Sequence, residues 1–436
     1  MKILFLNQCY WPDHVATSQI LTDLAQELVC RGHQVAVLCS RRPYSGGNES
    51  FARRESRNGV TIRRVVNPYG GGRDGKLRRL RDFLWFFAGA AVVSMALPMP
   101  DVVVTLTSPP LIGVLGRMIQ LLKRSAHVNW CMDVFPDNGV EFGVIRKGTW
   151  PYKVCVAAAS FYLKRAEVVA VLSIHMAGRI RRYGVRSTQT HIVPVWSDGR
   201  KLKPVDHRNN WFRKTHSLQD KFVLMFSGNL TYGGDIDTLI EALTELRHDE
   251  RIAFVLISQG PRFEEFRDRC RSLGLCNVLF LPYQKRDSLS YSLSAADVHL
   301  VTNKKGLEGV REPCKVYGVL AVGRPFILVG GPGCVAADMA REHGVGIVVD
   351  EGDVKGLVAS IRLLKESPDR WRWMCSQSRR VFEQHYDVLH AIDSFEDAAF
   401  TAVARRKRRK EVARPQSSVL QEQLPQKERV TNTSGG

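Results

Sequence analysis

The strongest constraint on this chain is a pattern of short apolar runs that do not alternate, with helical periodicity between nearly all of them. MKILFLN, HQVAVLCS, DVVVTLTS, HVNWCMDV, EVVAVLS and HIVPV fall within the first 195 residues. KFVLMFS, IAFVLIS, NVLFLPY, DVHLVT, PFILVG and GIVVD follow after residue 220. A strand wetted on one face alternates apolar and polar side chains, whereas an unbroken apolar strand is covered on both. Helices between the strands supply that cover, so the pattern predicts parallel sheets flanked by helices.

The two halves open alike, each with an apolar strand, a polar or Gly-containing turn and an amphipathic helix. In the first half the spacing predicts a helix over Ala16–Arg31 that stops at Gly32. In the second, Ile236, Leu239, Ile240, Leu243 and Leu246 share one helical face. Between the halves, WSDGRKLKPVDHRNNW (196–211) is polar and without period. The predicted architecture is α/β, with two doubly wound, Rossmann-like domains facing a central cleft where a ligand is expected. Its parts are a first domain at 1–195, a linker at 196–220 and a second domain at 221–404 that ends in helices. A basic tail at 405–436, rich in Gln, Ser and Pro beyond its first residues, is expected to be disordered.

With 436 residues there is enough chain for two cores. The ten cysteines are scattered, with no Cys-x-x-Cys pair and no Cys/His cluster. Neither a disulfide framework nor a metal site is expected, and the cytoplasm is the natural compartment. The first apolar run is too short for a secretory signal before Asn7 and Gln8 intervene. The formal charge of +20 is uneven: Arg41–Arg81 holds twelve Lys/Arg against three acids, and RRKRRK (405–410) adds six more. Such patches suit phosphate-rich partners. No nucleic-acid recognition module accompanies them, so an anionic membrane surface is the expected partner.

That expectation bears on FLWFFAGAAVVSMALPMP, residues 83–100. Pro98 and Pro100 leave about 15 usable helical residues, short of the ~20 that a bilayer core requires. GRDGKLRRLRD lies directly before it, and an apolar helix with a basic flank suits the headgroup layer. The run is therefore expected to dock the protein peripherally on the inner face of the plasma membrane. An ordinary core helix with a solvated basic neck is the alternative.

The stretch REPCKVYGVLAVGRPFILVGG (311–331) carries the chemistry. Pro313 suits a first helical turn, Lys315 adds charge where free amides already favour anions, and Gly323 ends the helix. At the carboxyl edge of a parallel sheet, this is a way to hold a diphosphate. Gly318, inside the same helix, costs roughly 1 kcal/mol against alanine and calls for a reason.

These residues resemble a known family. PCKVYGVLAVGRP is similar to the Pro-Ser-Lys-(apolar)-Tyr-Glu segment of the family 4 retaining glycosyltransferases, which have the two-domain GT-B fold. SGNLTYGGDIDTLIEAL is similar to the turn and helix that open their second domain, and VPVWSD to their linker. The N-terminal MKILFLNQCYWPDHVATSQILTDLAQELVCRGHQVAVLCS is similar to their first strand, helix and strand. Within the family the chain most resembles bacterial enzymes of colanic-acid, O-antigen and exopolysaccharide assembly.

The resemblance implies retaining transfer of a sugar from a nucleoside-diphosphate sugar to a polyprenyl-diphosphate-linked or growing glycan, with no metal or other cofactor. Lys315 and the backbone near Gly228 and Asn229 would hold the donor diphosphate, with Pro313 at the helix start. Asp133, in NWCMDVFPD, matches the family's polar residue beside the acceptor and the anomeric carbon; Asp137 is the better candidate for a helix cap.

Three departures stand out. Many members carry a carboxylate where this chain has Gly318, another at the place of Val310, and a lysine at the place of Gly233. Glu308 and Glu312 are the nearest acids and the candidates to contact donor hydroxyls; Lys304 and Lys305 are candidates to restore charge. The departures keep a non-catalytic relative that binds nucleotide sugar, or scaffolds an assembly complex, as the alternative.

Overall fold

The computed structural model describes residues 1–13, 15–44, 49–66 and 76–412. The first domain begins with β1 (Lys2–Leu6), α1 (Ala16–Cys30), β2 (Gln34–Ser40), β3 (Arg54–Arg57), β4 (Val60–Val65) and α2 (Lys76–Ala96). It continues with β5 (Val102–Thr105), α3 (Gly113–Leu122), β6 (Ala126–Cys131), α4 (Asp137–Glu141) and α5 (Trp150–Leu163). β7 (Val168–Val171), α6 (Ile174–Ile180) and β8 (Thr190–Ile192) complete it, and α7 (Trp211–Thr215) sits in the linker.

The second domain holds β9 (Phe222–Ser227), α8 (Asp237–Glu245), β10 (Ile252–Ile257), α9 (Phe263–Ser272) and β11 (Val278–Leu281). Then come α10 (Leu289–Ser294), β12 (Val298–Asn303), α11 (Lys315–Ala321), β13 (Phe326–Gly330), α12 (Val335–His343) and β14 (Gly346–Val349). α13 (Val354–Glu366), α14 (Pro368–Val381) and α15 (Val388–Val412) follow.

Two sheets result, ordered β3-β4-β2-β1-β5-β6-β7-β8 and β11-β10-β9-β12-β13-β14. Every pairing is parallel except β3 with β4. Strand order reverses beside β1 and beside β9, which opens a crevice at the carboxyl ends of the central strands of each sheet. The unalternated runs are buried as expected, with β6, β12 and β13 covered along their whole length.

The basic stretch 41–81 contains a hairpin that its charge conceals. Asn58 (φ 46°) and Gly59 (φ 78°) make the turn between β3 and β4, a dipeptide suited to two successive left-handed residues. Arg64 is buried, donating to Glu55 (2.7 Å) and to the carbonyls of Ala52 and Trp11. Arg57 stacks on Trp11 at 3.8 Å. Part of the positive charge in this stretch is thus spent inside the domain. Residues 67–75, which include the start of the basic flank, lie outside the described residues.

The chain crosses between domains twice, and the crossings touch. Ser197 bridges to Asp387, Gly199 N–H donates to the Asp387 carboxylate (3.0 Å) and Val388 N–H donates to Ser197 O (3.1 Å). Beyond this point α15 returns to the first domain, where Phe395 packs on Phe5 and Trp130, and Trp196 stacks on Trp130 at 5.9 Å. Residues 388–404, expected in the second domain, therefore cover the first sheet. Periodicity marks Ala391, Phe395, Ala398 and Ala402 as one buried face but cannot say which sheet that face covers.

The expected disorder from residue 405 also fails over its first part, because α15 runs on to Val412. Its reason is Glu167, whose side chain has no exposed surface. Arg406 and Arg409 approach its carboxylate at 3.8 and 3.4 Å, and Arg405 donates to the carbonyls of Glu167 (2.8 Å) and Thr188 (2.7 Å). A buried acid of this kind holds the basic run in a helix. The rest of the expected tail, 413–436, is outside the described residues. No helix among the described residues is long and apolar enough to cross a membrane.

Candidate active site

The site is built where β9 ends. Gly228 turns the chain with φ +131°, a conformation that suits glycine, and a Cβ there would sit 3.4 Å from Lys315 Cε. Lys315 is the first residue of α11, two positions later than the Pro313 start that the sequence suggests; Pro313 stands in the preceding turn. The Lys315 ammonium lies 3.1 Å from the centre of the Phe226 ring, a cation–π contact that holds it over the end of β9. Burial pushes its pKa well below the ordinary lysine range, and the Arg311 guanidinium pushes the same way.

Arg311 is a candidate site residue that sequence reasoning passed over. Its Nη1 donates to Thr231 Oγ1 at 3.0 Å, and its guanidinium fills the space above Gly233, where a Cβ would lie 2.8 Å from Arg311 Cζ. The missing lysine of that turn is thus answered by an arginine from another loop. Burial lowers the Arg311 pKa, with Asp133 and Cys314 pulling the other way. Among the described residues neither Arg311 nor Lys315 forms an ion pair with a carboxylate. The signal was present in the sequence: a glycine where charge was expected, and an arginine four residues before Lys315.

Asp133 lies just beyond β6, half-buried, and its carboxylate makes no hydrogen bond among the described residues. Burial raises its pKa, opposed by Arg311. It caps no helix. Asp137, the expected cap, does not cap one either: its carboxylate is taken by Arg179 Nε (2.5 Å) and Tyr183 Oη (2.8 Å), tying α4 to the end of α6. Beside Asp133 the two domains touch through Val134 N–H, which donates to Val310 O at 2.8 Å.

The expected sugar-binding acids serve other contacts. Glu312 is buried and accepts from Ser173 Oγ of the first domain and from Val335 N–H (3.0 Å) at the start of α12. Burial raises its pKa, while these hydrogen bonds lower it. Glu308 accepts from Gly306 N–H (2.7 Å) and presses on the turn after β13, where a Cβ on Gly331 would come within 2.4 Å of Oε1. Asn229 sits exposed at the rim and accepts from Tyr283 Oη. Lys305 pairs with Asp350 (3.7 Å), and Lys304 donates its backbone N–H to Gly233 O (3.2 Å). A Cβ on Gly318 would meet Ser197 Oγ and Leu293 Cδ1, both at 3.6 Å, so this position faces the linker and α10.

The structure therefore gathers Lys315, Gly228 and the unpredicted Arg311, with Asp133 facing Arg311 from the first domain. It assigns Glu312 and Glu308 to protein contacts. Among the described residues no three His, Cys, Asp or Glu side chains are grouped to hold a metal ion. Two desolvated cations can stabilise a dianion that forms on bond breaking, and an open carboxylate can orient a hydroxyl or face a developing positive centre.

Comparison with known proteins agrees with this layout. A glycosyl transferase 4-like domain matches residues 16–196, and the glycosyl transferases group 1 domain matches 207–381. The chain is 26% identical over 380 residues to the putative colanic acid biosynthesis glycosyl transferase WcaI of Escherichia coli, covering 83% of this chain and 91% of that one. It is 25% identical over 304 residues to the probable glycosyltransferase WbjE of Pseudomonas aeruginosa, covering 68% and 73%. Among solved structures, Anabaena Alr3699/HepE, crystallised with UDP and glucose, superposes with a TM-score of 0.68 at 17% identity over 91% of this chain and 98% of that one. WaaG, a glycosyltransferase of lipopolysaccharide biosynthesis, gives 0.65 at 16% identity over 92% and 99%. With both domains matched in order, and with the two facing sheets they require, the chain belongs to the family 4-like glycosyltransferases of the GT-B fold.

Proposed function

We propose that this glycosyltransferase moves a sugar, with retention, from a nucleoside-diphosphate sugar to a polyprenyl-diphosphate-linked glycan. The setting is assembly of a bacterial surface polysaccharide at the inner membrane face. The observation that carries the proposal is the pair Arg311 and Lys315, desolvated at the cleft and forming no ion pair with a carboxylate among the described residues. The donor diphosphate supplies the missing negative charge. As the bond between the anomeric carbon and the phosphate oxygen breaks, its electron pair goes to that oxygen, and the two cations stabilise the charge gained. The acceptor hydroxyl oxygen bonds to the anomeric carbon and passes its proton to the departing phosphate oxygen, with Asp133 placed to orient the hydroxyl and to offset oxocarbenium character. Retention and the lipid-linked acceptor rest on the family resemblance, and the polysaccharide setting on the name of the relative WcaI. Peripheral docking through α2 rests on its basic, apolar sequence.

The second reading, a non-catalytic relative, rests on Gly318 and Gly233. Arg311 over Gly233 weighs against it, since the lost charge is restored. Release of nucleoside diphosphate from candidate donors, followed by chromatography with and without acceptor, separates the two. Turnover that vanishes in Asp133→Asn supports the enzyme; binding without turnover for every donor supports the relative.

A further inference from the structure

The docking proposed above involves α2 alone, but α2 is one of three neighbours. It packs beside α3, and α3 packs beside α5. Each of the three turns an apolar stripe outward. On α2 the stripe includes Leu77, Leu84 and Val92, with Leu77 84% and Val92 73% exposed. On α3 it is Val114, Leu121 and Leu122, the last 64% exposed. On α5 it is Trp150, Val154 and Phe161, with Trp150 75% exposed. Spacings of four, seven and eight residues place these side chains on the outer face of each helix. Inward faces are already satisfied: Phe86, Ala90, Leu115 and Ile119 fill the core, as do Ala159 and Leu163. Soluble monomers seldom expose apolar surface on three adjacent helices without a use for it.

Charge says what covers this face. The three helices hold six Lys/Arg and a single acid, Asp82. Asp82 is buried and accepts from Gln8 Nε2 at 3.4 Å, so it offers no carboxylate to solvent. At the far end of α3, Arg406 of α15 donates to the carbonyls of Gln120 (2.9 Å) and Arg124 (3.5 Å). That contact sets the end of α15 against the end of α3, where Lys407, Arg408 and Lys410 are exposed. An apolar plane almost free of acids, with cations at its edges, is complementary to an anionic bilayer: the apolar side chains enter the acyl boundary and the cations meet headgroup phosphates.

We propose that α2, α3 and α5 together form the membrane-docking platform, with the outward cations at the end of α15 as its fourth contact. The proposal rests on the docking reading above and extends it to residues that the sequence did not single out. The test is sedimentation of the full chain with phosphatidylcholine vesicles, with and without phosphatidylglycerol. Leu122→Ser, Val154→Ser and Phe161→Ser combined should lower partition to the anionic vesicles about tenfold. Thermal midpoint and nucleotide binding should not change, since none of the three lines the cleft. Lys407→Ser, Arg408→Ser and Lys410→Ser combined should weaken binding and flatten its salt dependence. If the α3/α5 variant binds like the parent while Arg78→Ser, Arg79→Ser and Arg81→Ser together abolish binding, the platform is wrong and docking through α2 alone stands. If the parent stays in the supernatant, both fall. Equal binding to neutral vesicles removes the role of charge. Self-association of the parent that the triple serine variant abolishes, without vesicle binding, makes this face a contact between copies.

Discussion

The cleft and the back of the first domain each gather arginine and lysine, and they differ in one respect. Behind the first sheet, Arg406 and Arg409 close on Glu167, a carboxylate with no exposed surface that also accepts from Gln120 Nε2 and His127 N–H. At the cleft, Arg311 and Lys315 form no ion pair with a carboxylate among the described residues, and burial drives both pKa values down, with Asp133 opposing it only at Arg311. Cations answered by the chain's own carboxylate hold the fold together. Cations left unanswered in a desolvated cleft are a standing cost, and an external anion removes it.

Substitutions can break this comparison. The largest effect is expected at Asp133, the cleft's unpaired carboxylate: Asp133→Asn should lower transfer by a factor on the order of 10² or more. Its folded pKa is raised, so any stability it contributes is present below the ordinary carboxylate range and lost as pH rises through the raised value. The Asn variant should therefore melt no lower than the parent at neutral pH, and any advantage should vanish in acid. Parent activity should fall as pH drops through that raised pKa. A variant that melts early and keeps its turnover would make Asp133 structural.

Next come the two clusters themselves. Lys315→Ala and Arg311→Ala should each weaken nucleoside diphosphate binding by about 1.5–3 kcal/mol, as for a lost charge-assisted hydrogen bond, with no loss of thermal stability. Arg406→Ala with Arg409→Ala should do the reverse, leaving binding intact and lowering stability by about 2 kcal/mol. The effect is small because Arg409 is 47% exposed and water screens its charge. Adding Glu167→Gln should recover part of the loss, since the stranded charge is gone. If the back pair changes nucleotide affinity, or the cleft pair changes only stability, the distinction collapses. The smallest effect is Gly318→Ala, which should raise stability by about 0.5–1 kcal/mol, because a Cβ there meets Leu293 and Ser197 at ordinary contact distance.

What the sequence made legible follows the same division. Unbroken apolar strands with helices between them reveal both sheets, since burial on two faces leaves no room for alternation. Gly228 and Asp133 were legible because each stands just past the carboxyl end of a strand, and Lys315 because it opens a helix two residues after a proline. Arg311 was passed over although both halves of its signal were present, because its meaning depends on Gly233, which lies far away in sequence and close in space. The protein contacts of Glu312 were hidden for the same reason: its partners Ser173 and Val335 belong to different domains. The run at 405–410 was read as disorder because composition cannot show that Glu167 waits for it. The hairpin at Asn58–Gly59 was legible but lay hidden among arginines.

The function of the cleft turns on whether its unanswered cations are the phosphate site. Isothermal titration of UDP, GDP and ADP into the parent, Arg311→Ala and Lys315→Ala, in two buffers of different ionisation enthalpy, tests this directly. One of these nucleotides should bind the parent, and the same one should bind each variant about tenfold to a hundredfold more weakly. Because burial depresses Lys315 and a bound diphosphate favours its charged form, proton uptake on binding should be greater in the parent than in Lys315→Ala. Variants that bind as tightly as the parent, with the same proton uptake, would place the phosphate elsewhere and contradict the account.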